Sequence, residues 1–260
     1  MPAALRFLAT LVALLAVAAS PAASPAASPA VAAPDAPCRD VEIGGKSYTI
    51  CTFDLRSTAI RLHWKDRSGA PYGNVSNFVA ASKSASSPLL FAMNAGMYRD
   101  DSSPVGLYVE GGEQLVKANT ASGPGNFHLK PNGVFYLSGD EASVLETGRF
   151  LKARPKADYA TQSGPMLVID GKLHPRFSAN GPSLKIRNGV GIRDPHTVVF
   201  AISNDAVSFG DFARLFRDSL ACPNALFLDG SISSLYAPSV SRDDTLWPAG
   251  PILSARTKAK

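Results

Sequence analysis

The stretch Ala225-Leu226-Phe227-Leu228-Asp229-Gly230-Ser231-Ile232-Ser233-Ser234-Leu235-Tyr236 poses the central question of this chain. Four apolar residues in a row read as a strand buried on both faces. The run then breaks into Asp229-Gly230-Ser231, with Ser233 and Ser234 close behind. Asp-Gly between apolar runs is a type I′ hairpin signal. Taken alone, Asp229-Gly230 fits such a turn as well as it fits a carboxylate held at the end of a rigid strand. The same dipeptide at Asp170-Gly171 is followed by Lys172-Leu173, which resumes an ordinary strand, whereas the residues after Gly230 stay small and polar.

Strand signals dominate the surrounding sequence. CRDVEIGGKSYTIC turns at Gly44-Gly45, GLYVEGGEQLVK at Gly111-Gly112 and HLKPNGVFYL at Asn132-Gly133. MLVIDGKLHP turns at Asp170-Gly171 and TVVFAISNDAVSF at Asn204-Asp205. Each places a turn-favouring pair between apolar or alternating runs and predicts a β-hairpin. PLLFAMNAG carries a continuous apolar run, as a strand buried on both faces does.

Two helices are expected. One spans Val75 to Ala85, capped by Asn74 or Ser76. The other spans Phe209 to Ala221, where Ser208 caps, Asp211 follows three residues on, and Phe209, Phe212, Leu215, Phe216 and Leu220 form an apolar stripe. Hairpins with a few packed helices predict an α+β domain of mixed or antiparallel sheets. Few crossover helices are present for a doubly wound alternative.

The amino terminus reads as an export signal. Arg6 precedes the short apolar run Phe7–Ala19, which ends in small residues. This run is shorter than the roughly 18–20 residues that span a bilayer. Residues 1–19 are therefore expected to be a signal peptide, residues 20–37 a Ser/Pro/Ala-rich tether, and residues 38–260 one folded domain. A periplasmic or secreted protein follows, with no membrane span after cleavage.

Such a compartment favours a disulfide between Cys38 and Cys51 across the first hairpin, worth about 3 kcal/mol for a loop of that length. Cys222 is left as a buried thiol. His63, His128, His174 and His196 are isolated and lack zinc-site spacing. The net charge of +5 is scattered apart from the Arg256/Lys258/Lys260 tail, with no basic stripe interleaved with aromatics. That gives little support to nucleic-acid binding. It suits an anionic substrate, including a cell-envelope polymer, and it equally suits plain solubility.

Four places interrupt the apolar pattern in a similar way. They are Asn94-Ala95-Gly96-Met97-Tyr98, Gln162-Ser163-Gly164-Pro165, Arg187-Asn188-Gly189-Val190-Gly191 and Asp229-Gly230-Ser231. Each sets an amide, guanidinium or carboxylate beside glycine at a strand end, where a sheet directs side chains into a cleft and glycine admits a ligand close to the backbone. Singly, each also reads as a turn or strand cap.

As an ordered set these residues resemble the phosphodiester glycosidase family, that of the N-acetylglucosamine-1-phosphodiester α-N-acetylglucosaminidase "uncovering enzyme", and within it the short exported bacterial branch. The resemblance covers Phe91 to Tyr236. It implies a mixed α/β fold in which the four elements meet in one cleft, and hydrolysis of a sugar-1-phosphodiester. Better-known members read Asp-Gly-Gly-Gly-Ser where this chain has Ser231 and Ile232.

On this reading Asp229 is the base or nucleophile, and Arg187 holds the phosphate through its planar fork. Asn94, Gly96, Tyr98, Gln162, Ser163, Gly164, Asn188, Gly230, Ser231, Ser233 and Ser234 bind substrate or orient Asp229. No cofactor is called for, although a Ca²⁺ held by Asp229 and carbonyls stays open in the absence of an EF-hand-like ligand run. The rival readings are a non-catalytic carbohydrate-binding protein of the cell envelope and a serine hydrolase using Ser163 or Ser231. The second lacks a Gly-x-Ser-x-Gly motif and an evident histidine partner.

Overall fold

Three antiparallel sheets sort the alternating apolar residues of this chain. In the computed structural model, residues 36–83, 86–178, 181–230 and 233–258 are described, so the expected signal peptide and most of the tether lie outside the described residues, as does Ser231.

In chain order, β1 (Cys38–Ile43), β2 (Lys46–Asp54) and β3 (Thr58–His63) precede helix α1 (Val75–Ala81). Strands β4 (Leu89–Asn94), β5 (Tyr108–Glu110), β6 (Glu113–Val116), β7 (Gly133–Ser138) and β8 (Glu141–Glu146) lead to α2 (Thr147–Ala153). Then come β9 (Tyr159–Ser163), β10 (Met166–Ile169), β11 (Lys172–Leu173), β12 (Asn188–Asp194), β13 (Thr197–Ser203) and α3 (Phe209–Arg214). The last strands are β14 (Asn224–Asp229), β15 (Leu235–Ala237), β16 (Arg242–Asp244) and β17 (Ile252–Thr257).

The first sheet has the order β1-β2-β13-β12-β14-β10-β11, the second β16-β15-β4-β17-β3 and the third β6-β5-β9-β7-β8. In the second sheet β17 inserts between β3 and β4, pairing Ile252 with both His63 and Asn94. All pairings among these strands are antiparallel. The expected α+β class therefore holds only loosely: the domain is mostly β, with three short α-helices among the described residues.

Strand alternation builds two cores from the first sheet. Val198, Phe200, Ile202, Leu226 and Leu228 face inward against Phe91 and Met93 of the second sheet and Phe135 and Val144 of the third. Phe200 stacks on Phe91 at 4.8 Å between ring centres. On the reverse face Ile50, Val199, Ala201, Ala225 and Phe227 lie beneath Phe212, Leu215 and Phe216 of the helix that follows β13. Truncating an enclosed phenylalanine such as Phe200 to alanine costs about 3–5 kcal/mol.

Helix α3 starts on a full capping box between Ser208 and Asp211, as its sequence predicts. It continues as a π-helical turn over Leu215–Ser219 and so ends a little before Ala221. Asn74 caps α1, its side chain accepting from the Asn77 N–H, and this helix stops at Ala81 rather than Ala85. Cys38 pairs directly with Cys51 and the two are disulfide-bonded, while Cys222 is a buried free thiol whose pKa burial raises to about 12.

The hairpins at Gly44-Gly45, Gly111-Gly112 and Asp170-Gly171 form as expected. Two others do not. Asn132 is buried and its amide donates to Phe127 O and accepts from Thr147 Oγ1, so it props the start of β7, which pairs with β8 and β9 instead. After Asn204-Asp205 the chain runs on through a lone bridge at Val207 into α3, and β13 is paired with β12 and β2. The β12–β13 hairpin, closing on Asp194 and Thr197, and helix α2 were not expected from the sequence.

Candidate active site

Asp229 ends β14, whose Ala225 to Asp229 are all buried. Strict alternation from Phe227 would turn Asp229 toward α3. A β-bulge prevents this: Gly189 pairs with Phe227 but Asn188 pairs with Asp229, leaving Leu228 as the extra residue. Bulges re-aim side chains, and this one swings Asp229 to the inner face, where it meets β4.

The result is a cluster of interlocked polar groups. Asn188 accepts the Asp229 N–H through Oδ1 at 2.8 Å and donates through Nδ2 to Asn94 Oδ1 at 2.5 Å. Asn94 Oδ1 also accepts the Ser234 N–H at 3.0 Å, and Asn94 Nδ2 lies 3.5 Å from Asp229 Oδ2. Asp229 Oδ1 accepts the Gly230 N–H at 2.6 Å. Asn94 and Asn188 are wholly enclosed, whereas Asp229 retains 8% exposure and is the least enclosed of the three.

The third sheet closes the cluster. Ser163 Oγ donates to Leu228 O at the bulge (3.0 Å), and Thr161 Oγ1 donates to Ala95 O (3.0 Å). Gly96 sits at φ +142°, where a Cβ would also press on Thr161 Oγ1 at 3.2 Å, so glycine is required here. Tyr98 donates to Pro248 O, and burial together with the nearby Asp229 carboxylate raises its phenol pKa. At Gly230 a Cβ would lie 2.8 Å from the Phe227 ring and 3.3 Å from Ile186 O. Ser233 Oγ and Ser234 Oγ are buried without a hydrogen-bond partner.

Two expected residues face elsewhere. Alternation along β9 turns Gln162 to the opposite side from Ser163. Its Oε1 accepts the N–H groups of Leu107 and Asn119, and its Nε2 donates to Asn119 O. The amide thus braces the loop after β6. Gly164 packs its backbone against Asn132 and Phe127 O.

Arg187 precedes the bulge pairing and projects toward α3. Its Nε donates to Val207 O and its Nη2 to Ser183 O, and the guanidinium lies 3.6 Å over the centre of Phe209. It is 1% exposed and, among the described residues, has no carboxylate in ion-pair reach, and burial lowers its pKa to about 10. Gly191, also in this element, gives close approach to Phe216 and Cys222, a packing role.

Asn94, Asn188, Ser163, Ser234 and Asp229 therefore converge from all three sheets, with Tyr98 beside them. Among the described residues the carboxylate accepts from the Gly230 N–H and lies beside Asn94 Nδ2. Among the described residues no three His, Cys, Asp or Glu side chains gather into a metal cluster.

Comparison with known proteins decides the lineage. Residues 87–249 match the phosphodiester glycosidase domain. The chain belongs to the phosphodiester glycosidase family. The Escherichia coli (strain K12) protein YigE is 38% identical over 206 residues, covering 79% of each chain. The zebrafish N-acetylglucosamine-1-phosphodiester α-N-acetylglucosaminidase catalytic domain, whose structure is auto-inhibited by its pro-peptide, superposes with a TM-score of 0.58 at 14% identity. That match covers 84% of this chain and 80% of the zebrafish domain. A hypothetical Synechocystis protein gives a TM-score of 0.57 at 14% identity over 85% of this chain, which spans 61% of that protein. These two structural likenesses show the shared fold. In this member of the family the elements beginning at Asn94 and Asp229 meet through the side chain of Asn188, while the element at Gln162 contributes through Ser163.

Proposed function

We infer that this protein is an exported hydrolase that cleaves a sugar-1-phosphodiester to free sugar and a phosphomonoester. The observation that carries this reading is one carboxylate residue, Asp229, held on an amide cradle where three sheets meet and less enclosed than the two asparagines around it. Family membership and the disulfide of the first hairpin are in keeping with it.

An ordinary glycosidase needs a second carboxyl to protonate an alkoxide leaving group. A phosphomonoester, with a second pKa of about 6, departs as a stabilised anion, so one carboxylate suffices. Asp229 takes a proton from water as the anomeric carbon–oxygen bond to phosphate breaks. The water oxygen joins that carbon, and the bond's electron pair leaves with the phosphate. A direct attack by Asp229 on the same carbon gives a glycosyl ester that water then opens. The two routes leave opposite anomers, which proton NMR of the first product distinguishes.

Asn94 and Asn188 fix the carboxylate. Ser233 and Ser234 offer their unpartnered hydroxyls to phosphate oxygens. Arg187 acts by charge: a desolvated guanidinium with no carboxylate in ion-pair reach among the described residues adds a positive potential that favours an anion nearby. Its planar contacts with Val207 O, Ser183 O and Phe209 hold that charge in place.

The test is release of reducing sugar from sugar-1-phosphodiesters and from matched neutral glycosides, with and without Asp229→Asn. Turnover confined to phosphodiesters and lost in the variant supports the assignment. Binding of sugar phosphates with no turnover identifies a carbohydrate-binding protein instead. Loss of turnover on chelation, restored by Ca²⁺, would overturn the metal-free mechanism.

A further inference from the structure

Helix α2 and the turn after it carry the run Arg149-Phe150-Leu151-Lys152-Ala153-Arg154-Pro155-Lys156, in which four side chains are cationic and none is acidic. Arg149 is paired with Asp170. Lys152, Arg154 and Lys156 are exposed, and among the described residues their side chains take part in no ion pair.

Arg154 and Lys156 border a groove of about 510 Å³ between this turn and the β5–β6 hairpin. Its floor is apolar: Leu107, Val109 and Phe150 line it, with Leu151, 39% exposed, at its rim. No carboxylate lines it. Of the acids next to this run in sequence, Glu146 accepts the Arg149 N–H as the cap of α2, and Asp158 accepts the Gly139 N–H.

The backbone singles out the same place. Arg154 is the C-cap of α2 and takes φ +48°, a left-handed turn that glycine makes without penalty. A long cation is kept there against local preference, which points to a use for its side chain.

The groove is separate from the Asp229 cluster. Tyr108 turns into the core shared with the other sheets, while Leu107 and Val109 on either side of it join Phe150 and Ala160 in the cluster under α2. Along β9, Ser163 meets Leu228 O beside Asp229, and Gln162 turns to the Leu107 side. The third sheet therefore lies between the two places.

What the groove can hold follows from the groups it leaves available. Its main chain is already engaged: the Leu107 N–H donates to Gln162 Oε1, Leu107 O accepts the Gln162 N–H, and the Gly112 N–H donates to Asp158 O. A sugar would find few partners here for its hydroxyls, and an extended peptide would find this main chain already paired. A hydrocarbon chain gains by covering the floor, and a phosphate at its end meets a guanidinium and an ammonium.

We propose that this groove binds an anionic amphiphile, a single alkyl or acyl chain ending in a phosphate, with the chain on Leu107, Val109 and Phe150 and the phosphate between Arg154 and Lys156. No bond is made or broken, and the proposal does not depend on the reading of Asp229.

The experiment titrates octyl phosphate, inorganic phosphate and octyl glucoside into the full chain by calorimetry. Octyl phosphate should bind at least about tenfold more tightly than inorganic phosphate, the worth of some two buried methylenes, and about tenfold more tightly than octyl glucoside. Arg154→Gly removes the cation and relaxes the left-handed turn. It should keep or raise the melting midpoint while weakening octyl phosphate about tenfold, so that lost binding cannot be lost folding. Lys156→Gln should weaken it in the same direction. Affinity unchanged in both variants, or equal for octyl phosphate and octyl glucoside, overturns the site. So does an oligoglutamate peptide that competes with comparable affinity, which would make the groove a contact for an acidic protein segment.

Vesicles of phosphatidylcholine, with and without phosphatidylglycerol, identify the source of the ligand. Co-sedimentation with the anionic vesicles only, lost in Arg154→Gly, assigns the groove to a membrane lipid. Octyl phosphate binding without co-sedimentation assigns it to a free amphiphile. Co-sedimentation of wild type and variant alike, without octyl phosphate binding, overturns the proposal.

Discussion

Asp170-Gly171 and Asp229-Gly230 are the same dipeptide in two settings. The first is a hairpin turn: both residues take positive φ, 46° and 78°, the chain folds back as β11, and Asp170 meets Arg149 in an exposed ion pair. The second follows a bulge, lies in the seam between sheets, and has its carboxylate set among Asn94, Asn188 and the Gly230 N–H. Local propensity for a turn is thus equal in the two cases. What differs is whether the strand has a free edge to fold back on. β10 has one, which β11 occupies, whereas β14 is flanked by β12 and β10 and has none.

The largest contrast should be catalytic. Asp229→Asn should lower phosphodiester turnover by about 10³-fold, within the range usual for a lost general base. Asp170→Asn should leave it within about twofold. Similar losses in the two variants would erase the distinction. Acid sharpens the same experiment, because activity can be read against pH only while the fold persists. His63 is half-buried on β3 and its pKa is lowered to about 4 by desolvation, then by Arg61 and Arg256. Between pH 6.5 and 4 the unfolded chain takes up a proton that the folded one refuses, so stability falls as pH falls through that window, by up to the order of 3 kcal/mol. Below the folded pKa this loss levels off. Urea midpoints at pH 7 and 4.5 should show it, and His63→Gln should reduce it.

Next in size is the cradle. Asn188→Ala strands the Asp229 N–H, while Asn94 Oδ1 keeps the Ser234 N–H, and should cost about 1–3 kcal/mol of stability. The carboxylate then drifts, and turnover should fall about 10²-fold. Unchanged activity with reduced stability would make Asn188 purely structural. The smallest effect separates the two glycines. Gly230→Ala forces a Cβ onto the Phe227 ring and should destabilise by about 1–3 kcal/mol through overpacking. Gly171→Ala meets no neighbour within 4 Å and should cost about 1 kcal/mol, from its positive φ alone. Equal unfolding midpoints accompanied by equal activities would mean that Gly230 sits in no special space.

Much of this was legible in the residues. Polar-plus-glycine breaks at the ends of apolar runs marked Asn94, Asn188 and Asp229, and the capping box of α3 was visible as Ser208 and Asp211. The direction of side chains was less so. The bulge at Leu228 has no residue signature, and the sequence leaves open which way Asp229 points. Gln162 and Ser163 are adjacent, yet the pleat puts them on opposite faces, and only Ser163 joins the seam. Arg187 looked like a solvent-facing fork and is instead stacked on Phe209 and tied to main-chain carbonyls. At Asn132-Gly133 the hairpin signal was overridden by a tertiary need: the amide fills a buried position between Phe127 and Thr147. The exposed position of Trp247 carried no motif: its segment is tied by the Ser76 N–H to Thr245 O, the Tyr98 hydroxyl to Pro248 O and the Ala249 N–H to Gly73 O, partners far away in sequence.

The place of β17 bears on how the molecule comes into being. The neighbours of this strand, β3 and β4, are made early, and the gap between them stays open until Ile252–Thr257 arrives. Until then Asn94 has no Ile252 beside it, and the cradle of Asp229 lacks its second-sheet wall. Pairings so distant along the chain form slowly. The seam that holds Asn94 is therefore completed late, only once Ile252–Thr257 has paired with both of its neighbours.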